Sequence, residues 1–207
     1  MFARPDRVAE VGATVGSGVE VFEVEPQVLD RLADADTPQG VLAVVARHDA
    51  TLAEVARRPR LVLLDGIQDP GNAGAVVRTA AAAGFDAVIA GIGTADLWSP
   101  RAVRASAGAV FAVQVVRRVD AVEALRVTGE HGHVRVGAAT GGSTDVDALE
   151  PAPAMTLVLG SEAHGVSDVA LAEVDLRVGV PMRPPVESLN VAVTAGIVMY
   201  RMRVHGS

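Results

Sequence analysis

Three stretches of this chain gather polar residues of chemically useful types where an apolar run should end. The first, LDGIQDPGNAGAVVRTAAAAGF (64–85), passes from a hydrophobic run through a Gly/Pro loop to Asn72, with Arg78 six residues further on. An asparagine there is suited to capping a helix, because its side-chain oxygen can accept from an orphan backbone N–H. That spacing puts Arg78 in the second helical turn. The loop is no nucleotide cradle, since it lacks both the GK[ST] of a phosphate-binding loop and the GxGxxG of a dinucleotide fold. The second stretch, LVLGSEAHGVS (157–167), ends an apolar strand in Gly160, where a missing side chain lets a ligand approach the backbone. Ser161, His164 and Asp168 suggest a hydrolase, but a nucleophile elbow needs Gly-x-Ser-x-Gly and here Ser161 directly follows Gly160. The third, VGVPMRPPVESLNVAVTAGIVMYRMR (178–203), runs from a strand through a Pro-rich turn to Ser188-Leu189-Asn190 at the head of a long apolar helix. Ser188 is the expected N-cap of that helix.

The elements that must position these residues follow from the apolar pattern. Strands are expected at Leu61–Asp65, Ala87–Ala90, Val113–Val116, Val134–Ala138, Thr156–Leu159 and Leu176–Val180, each short, partly β-branched and bounded by Gly, Pro or Asp. Helices are expected between them at Ala73–Ala83, Pro100–Ala107, Ala121–Val127 and Asn190–Arg203. Strand and helix in alternation give an α/β fold, a parallel sheet covered on both faces, over roughly residues 58–207. In such a sheet ligands bind beyond the carboxyl ends of the strands, where all three polar stretches fall. Residues 1–57 form a separate piece: strands at Val19–Val24 and Val41–Val45 around a helix Pro26–Leu32, a turn DADTPQG (34–40), and a helical stretch Thr51–Arg57. The Gly/Ser segment 141–154 reads as an exposed loop. In the last helix Val191, Thr194, Ala195 and Val198 form one buried stripe, and the small Ala192, Ala195 and Gly196 would let another helix come close, a two-fold contact being the expectation.

Composition narrows the chemistry. With no cysteine in 207 residues, disulfide scaffolds, CxxC redox chemistry, zinc ribbons and cysteine nucleophiles are excluded. His131 and His133 form an HxH pair without a third ligand, so no metal is expected. The net charge is −7, and all 18 basic residues are arginine. An acidic balance argues against non-specific nucleic-acid binding, so any RNA reading must rest on a local site. Arg117-Arg118 could meet phosphate or be an exposed pair, and Trp98 before Ser99-Pro100 reads as a packing anchor. Apolar runs of strand length and an N-terminus without an apolar h-region point to a cytoplasmic protein without membrane spans.

Taken together and in order, the three stretches resemble the signature motifs of the SpoU (TrmH-like) branch of the SPOUT methyltransferases: NAGAVVR (72–78), GSEAHG (160–165) and VPM…SLNVAV (180–193). Residues 19–45 are similar to the second half of the L30e-like RNA-binding segment that precedes many such catalytic domains. The resemblance implies a parallel-sheet SPOUT domain with a C-terminal trefoil knot, following a partial L30e-like segment. It implies transfer of a methyl group from S-adenosyl-L-methionine to a ribose 2′-hydroxyl of rRNA or tRNA. It also implies a homodimer formed through the knot-region helices. A non-catalytic RNA-binding or ribosome-assembly factor on the same fold is the alternative, motivated by the acidic charge and the shortened N-terminal segment.

By motif match, Arg78, Asn72, Glu162, Ser188 and Asn190 would be the catalytic group, and Gly160, Val180, Met182 and Leu189 would hold the cofactor largely through backbone, with Thr140 and Gly141 as further candidates. Arginine's pKa above 12 makes Arg78 an awkward base. The preferred role is to hold RNA phosphate and stabilise a developing alkoxide, while Glu162 orients Arg78 or Asn72. Two departures from the family pattern stand out. Ala163 replaces a position that is often Gly, and Arg183-Pro184-Pro185 stiffens the turn before Ser188.

Overall fold

A computed structural model describes residues 1–33 and 37–203 and divides the chain into two compact units, Met1–Arg47 and His48–Ser207. The first unit contains β1 (Phe2–Ala3), α1 (Val8–Thr14), β2 (Phe22–Glu23), α2 (Pro26–Leu32) and β3 (Val41–Leu42). β1 is central, parallel to β2 and antiparallel to β3. Its core is small: Ala3, Val11 and Leu29 are buried, and Phe2 stacks on Phe22 with ring centroids 5.6 Å apart. Both strands expected here are shorter than their apolar runs, and β1 and α1 went unrecognised because neither carries a strong period. Of the expected turn 34–40, residues 34–36 lie outside the described residues.

The second unit runs α3 (Leu52–Val55), β4 (Arg60–Asp65), α4 (Pro70–Ala82), β5 (Ala87–Gly91), α5 (Pro100–Ala105), β6 (Gln114–Val119), α6 (Ala121–Glu130), β7 (Val134–Ala138), β8 (Thr144–Asp145), β9 (Met155–Gly160), α7 (Asp168–Leu171), β10 (Leu176–Gly179) and α8 (Val191–Met202). Seven strands form one parallel sheet in the order β6-β5-β4-β9-β7-β10-β8. Alternation along β4 shows how both faces are filled. Val62 and Leu64 join the core beneath α4 and α8, while Leu61 and Leu63 join Leu125, Val158 and Ala170 on the opposite face.

Residues 48–57 pack on this second unit. Ala50 N–H donates to Val115, Val55 is buried in the core, and Asp49 accepts from Arg117 and from the Trp98 indole at 2.8 Å each. Trp98 is thus the anchor its sequence suggests, with its ring 5.6 Å from Phe111. Arg117 is occupied by Asp49 and Asp96, and its bonds to Asp49 raise its pKa above the ordinary value. Segment 141–154 is not simply a loop. It supplies the edge strand β8 and a short 3-10 turn that buries Val146 and Leu149, because its polar residues alternate with two apolar anchors.

Candidate functional site

The carboxyl ends of β4 and β9 lie level, with Asp65 paired to Gly160. From Gly160 the chain folds back at once. Gly165 N–H donates to Ser161 O at 2.8 Å, and a Cβ built on Gly160 would stand 1.9 Å from the Gly165 carbonyl carbon. Only glycine admits that contact of main chain on main chain. The Ser167 N–H donates to the Asp65 carboxylate at 2.8 Å and ties the end of this loop to β4. Asp65 is a structural carboxylate that sequence reasoning passed over, although an acid ending a buried strand was the available signal.

On the other side of β4, α4 begins one turn earlier than expected. Its N-cap is Asp69, whose side chain accepts from Asn72 N–H at 2.8 Å, and Pro70 occupies the first helical position. Asn72 is therefore not the cap, and its amide is free for other work. A parallel correction applies to α8, where Asn190 and not Ser188 is the cap, accepting from Ala192 N–H at 2.9 Å. Ser188 sits in exposed chain outside the helix, two residues earlier.

These two shifts create a directed chain of hydrogen bonds. Because Asn190 Oδ1 is committed to the Ala192 N–H, its Nδ2 faces Asn72 and donates to Oδ1 at 3.0 Å. Asn72 must then present its own Nδ2, which donates to Glu162 Oε1 at 2.5 Å. Of the two partners expected for Glu162, Asn72 is the one it bonds. Asn72 lies 90 residues from Glu162 and 118 from Asn190, and the neighbouring placement of β4 and β9 brings them together.

Beside this chain opens a cavity of about 870 Å³, within the usual range for small-molecule sites. Gly160, Glu162, Thr140, Val180, Met182, Ser188, Leu189 and Asn190 line it. Gly141 does not. It is the exposed turn residue after Thr140, with φ +70°. Arg78 is also absent from the wall. Six residues place it about 120° around α4 from Asn72, on the exposed face, and it makes no hydrogen bond or ion pair among the described residues. Sequence reasoning had not assigned Asp168 and Glu187 to the wall, although one belonged to the rejected hydrolase set and the other adjoins Ser188. Three carboxylates against apolar Leu159, Val178 and Leu189 suit a ligand with a cationic centre and a flat apolar ring, which is the chemistry of S-adenosylmethionine.

The remaining histidines do separate work. The His164 N–H donates to Ser161 Oγ at 3.2 Å, so that hydroxyl serves the loop. His131 is exposed, whereas His133 is buried and bonded to Ala56 O and Thr156 Oγ1.

A parallel α/β sheet with a cavity at its carboxyl edge is a ligand-binding layout shared by many proteins, and comparison with known proteins makes the class specific. Residues 59–200 match the model of the SpoU rRNA methylase family, and residues 5–50 match that for RNA 2′-O ribose methyltransferase substrate binding. The chain belongs to the SpoU rRNA methylase family. It is 35% identical to the 23S rRNA (guanosine(2553)-2′-O)-methyltransferase RlmP of Bacillus subtilis, over 90% of this chain and 74% of that one. An uncharacterized tRNA/rRNA methyltransferase of Mycobacterium ulcerans is 36% identical over 94% of this chain, which spans 65% of the relative's length. Among solved structures, the AdoMet-bound rRNA methyltransferase of Sinorhizobium meliloti superimposes with a TM-score of 0.86 at 29% identity, over 97% of this chain and 78% of that one.

Proposed function

We propose that this chain transfers a methyl group from S-adenosylmethionine to a ribose 2′-hydroxyl of ribosomal RNA, with the cofactor held in the cavity beside Glu162. The observation that carries the reading is the directed chain Asn190–Asn72–Glu162 at the rim of a carboxylate-lined cavity of about 870 Å³.

When bound, the cofactor supplies an electrophilic methyl on a sulfonium. The residues of this chain supply position, which in a well-oriented pair of reactants can account for about 7–11 kcal/mol of the barrier. Gly160, Val180, Met182 and Leu189 hold the cofactor, largely through main chain. The Glu162 carboxylate, fixed through one oxygen by Asn72, keeps its second oxygen for the substrate side. Ser188 adds a hydroxyl on the same wall. Arg78, without a partner among the described residues, takes the RNA phosphate next to the acceptor ribose and stabilises the alkoxide as the proton leaves to a phosphate oxygen or water.

The first unit, Met1–Arg47, contributes to recognition of the RNA, and the protein works in the cytoplasm. The C-terminal chain forms the family's knot, and two copies pair through the outer face of α8. Support for pairing comes from Val193, Ile197 and Tyr200, which are exposed at helical spacing opposite the buried Val191, Ala195 and Val198. The small-residue face of α8 is already filled within the chain, since Ala195 is buried and Gly196 lies against Thr79 of α4. An Ile197→Glu variant should sediment as monomer where the wild type sediments as dimer.

Purified protein given radiolabelled cofactor and unmodified rRNA should label ribose 2′-oxygens, which would discard the non-catalytic alternative. Absence of cofactor binding by calorimetry would defeat the reading.

A further inference from the structure

The pair Arg117-Arg118, adjacent in sequence, is split by the fold. Ala90 of β5 pairs with Arg117 of β6, but Gly91 pairs with Val119, so Arg118 is the extra residue of a β-bulge. Its φ is +58°, in the left-handed region that a side chain disfavours. Only one other described non-glycine residue has a positive φ, Ala107, and it ends α5 beside Gly108 as an ordinary helix stop. Arg118 has no such explanation. It stops no helix, it is exposed, and it makes no hydrogen bond or ion pair among the described residues. Arg117 could reach Asp49 and Asp96 with glycine as the next residue, and glycine would remove the strain.

The bulge lies at a telling level of the sheet. Val119 is level with Gly91, Leu64 pairs with Ala90, and Asp65 with Gly160, so Arg118 stands at the carboxyl edge where Glu162 and the cavity lie. Three strand spacings, about 15 Å, separate β6 from β9. A strained backbone that carries an exposed cation, without a partner among the described residues, at a ligand-binding edge points to function.

We propose that Arg118 holds an RNA phosphate a few nucleotides from the ribose being methylated, as a positioning residue at the outer end of the substrate track. The inference rests on the RNA methyltransferase reading above. A phosphate contact carries no sequence information but fixes the register of the strand.

The test uses the full chain with cofactor and 23S rRNA transcribed in vitro, measuring binding across a potassium chloride series together with methyl transfer. Arg118→Gly should keep or raise Tm. It should weaken RNA binding about fivefold near 0.1 M salt and lower the slope of log K against log salt by about one. The kcat at saturating RNA and the cofactor Kd should stay at wild-type values, and Arg118→Lys should recover most of the affinity. If Arg118→Gly lowers Tm, the lysine variant decides: recovered RNA affinity supports the contact and unrecovered affinity overturns it. An active wild type with Arg118→Gly unchanged in RNA affinity and salt slope overturns this inference alone. A wild type that transfers no methyl to any RNA overturns the functional reading beneath it.

Discussion

The two ends of the central sheet use polar residues in opposite ways. At the amino end, Arg60 is buried and spends its guanidinium on carbonyls, donating to Pro59 and Pro153 at 3.0 Å and to Ala152 at 2.8 Å. His133 beside it is buried between Ala56 O and Thr156 Oγ1. At the carboxyl end, Asn72, Glu162 and Asn190 bond to each other in an open groove, and Arg78 bonds to nothing described. Polar groups locked to backbone hold the sheet together, whereas polar groups with spare valences are available to a ligand. The comparison teaches that paired side chains alone do not mark a site. What marks it is a network that stops short of satisfying itself.

The largest expected effect would break the comparison from the functional side. Arg78→Ala should lower methyl transfer about 10²–10³-fold, as loss of a group aimed at developing charge does, while the unfolding free energy stays within about 0.5 kcal/mol of wild type. Parallel activity and urea titrations check both halves, and a large loss of stability would make Arg78 structural after all.

The converse holds for Arg60. Replacing it with methionine removes the charged donor from the Ala152 and Pro153 carbonyls, while the Pro59 carbonyl keeps the Met155 N–H, and should cost about 2 kcal/mol, with cofactor affinity in the folded protein unchanged. Its pKa is lowered, chiefly by burial, so the residue is held by packing as much as by charge.

His133 adds a pH signature to the amino end alone. Burial disfavours its imidazolium and lowers its pKa below the ordinary value near 6.5. The native state therefore holds it neutral while the unfolded chain takes up a proton as pH falls below about 6.5. Its contribution is complete above that pH and is lost on acidification toward the lower folded pKa, at up to about 1.4 kcal/mol per pH unit. Urea melts of wild type and His133→Gln at pH 7.5 and 5.5 should show the variant losing less on acidification.

The smallest effect tests the helix start. Asp69→Ala should cost about 1 kcal/mol, whereas Asn72→Ala should leave the cap intact and affect methyl transfer instead. Equal costs in thermal melts would return the capping role to Asn72.

Much of this was legible in the residues, for identifiable reasons. The strands of the second unit stand within a residue or two of their apolar runs, apart from β6, which ends three residues further beyond the Arg118 bulge, and β8, which lies in the segment expected to be a loop; α2 has the expected bounds. A parallel strand buried on both faces needs a continuous apolar run, and such runs are visible without any neighbour. The cap assignments went wrong where two candidates competed. Asp69 before Pro70 was the better signal, because proline favours the first helical position. The convergence of Asn72, Glu162 and Asn190 was legible only through the family motifs, since strand order, which no local pattern encodes, makes β4 and β9 neighbours. Arg78 and Gly141 fell outside the cavity wall because a motif gives position along the chain but not direction around a helix or turn.

The contact between Gly160 and Gly165 carries a consequence for how such a pocket can be altered. Because peptide groups there touch with no room for even a methyl group, position 160 itself cannot be varied. Selectivity for a different cofactor analogue has to be engineered from the side chains around it, such as Thr140, Val180, Met182 and Leu189, with the Gly160–Gly165 contact left as a fixed template.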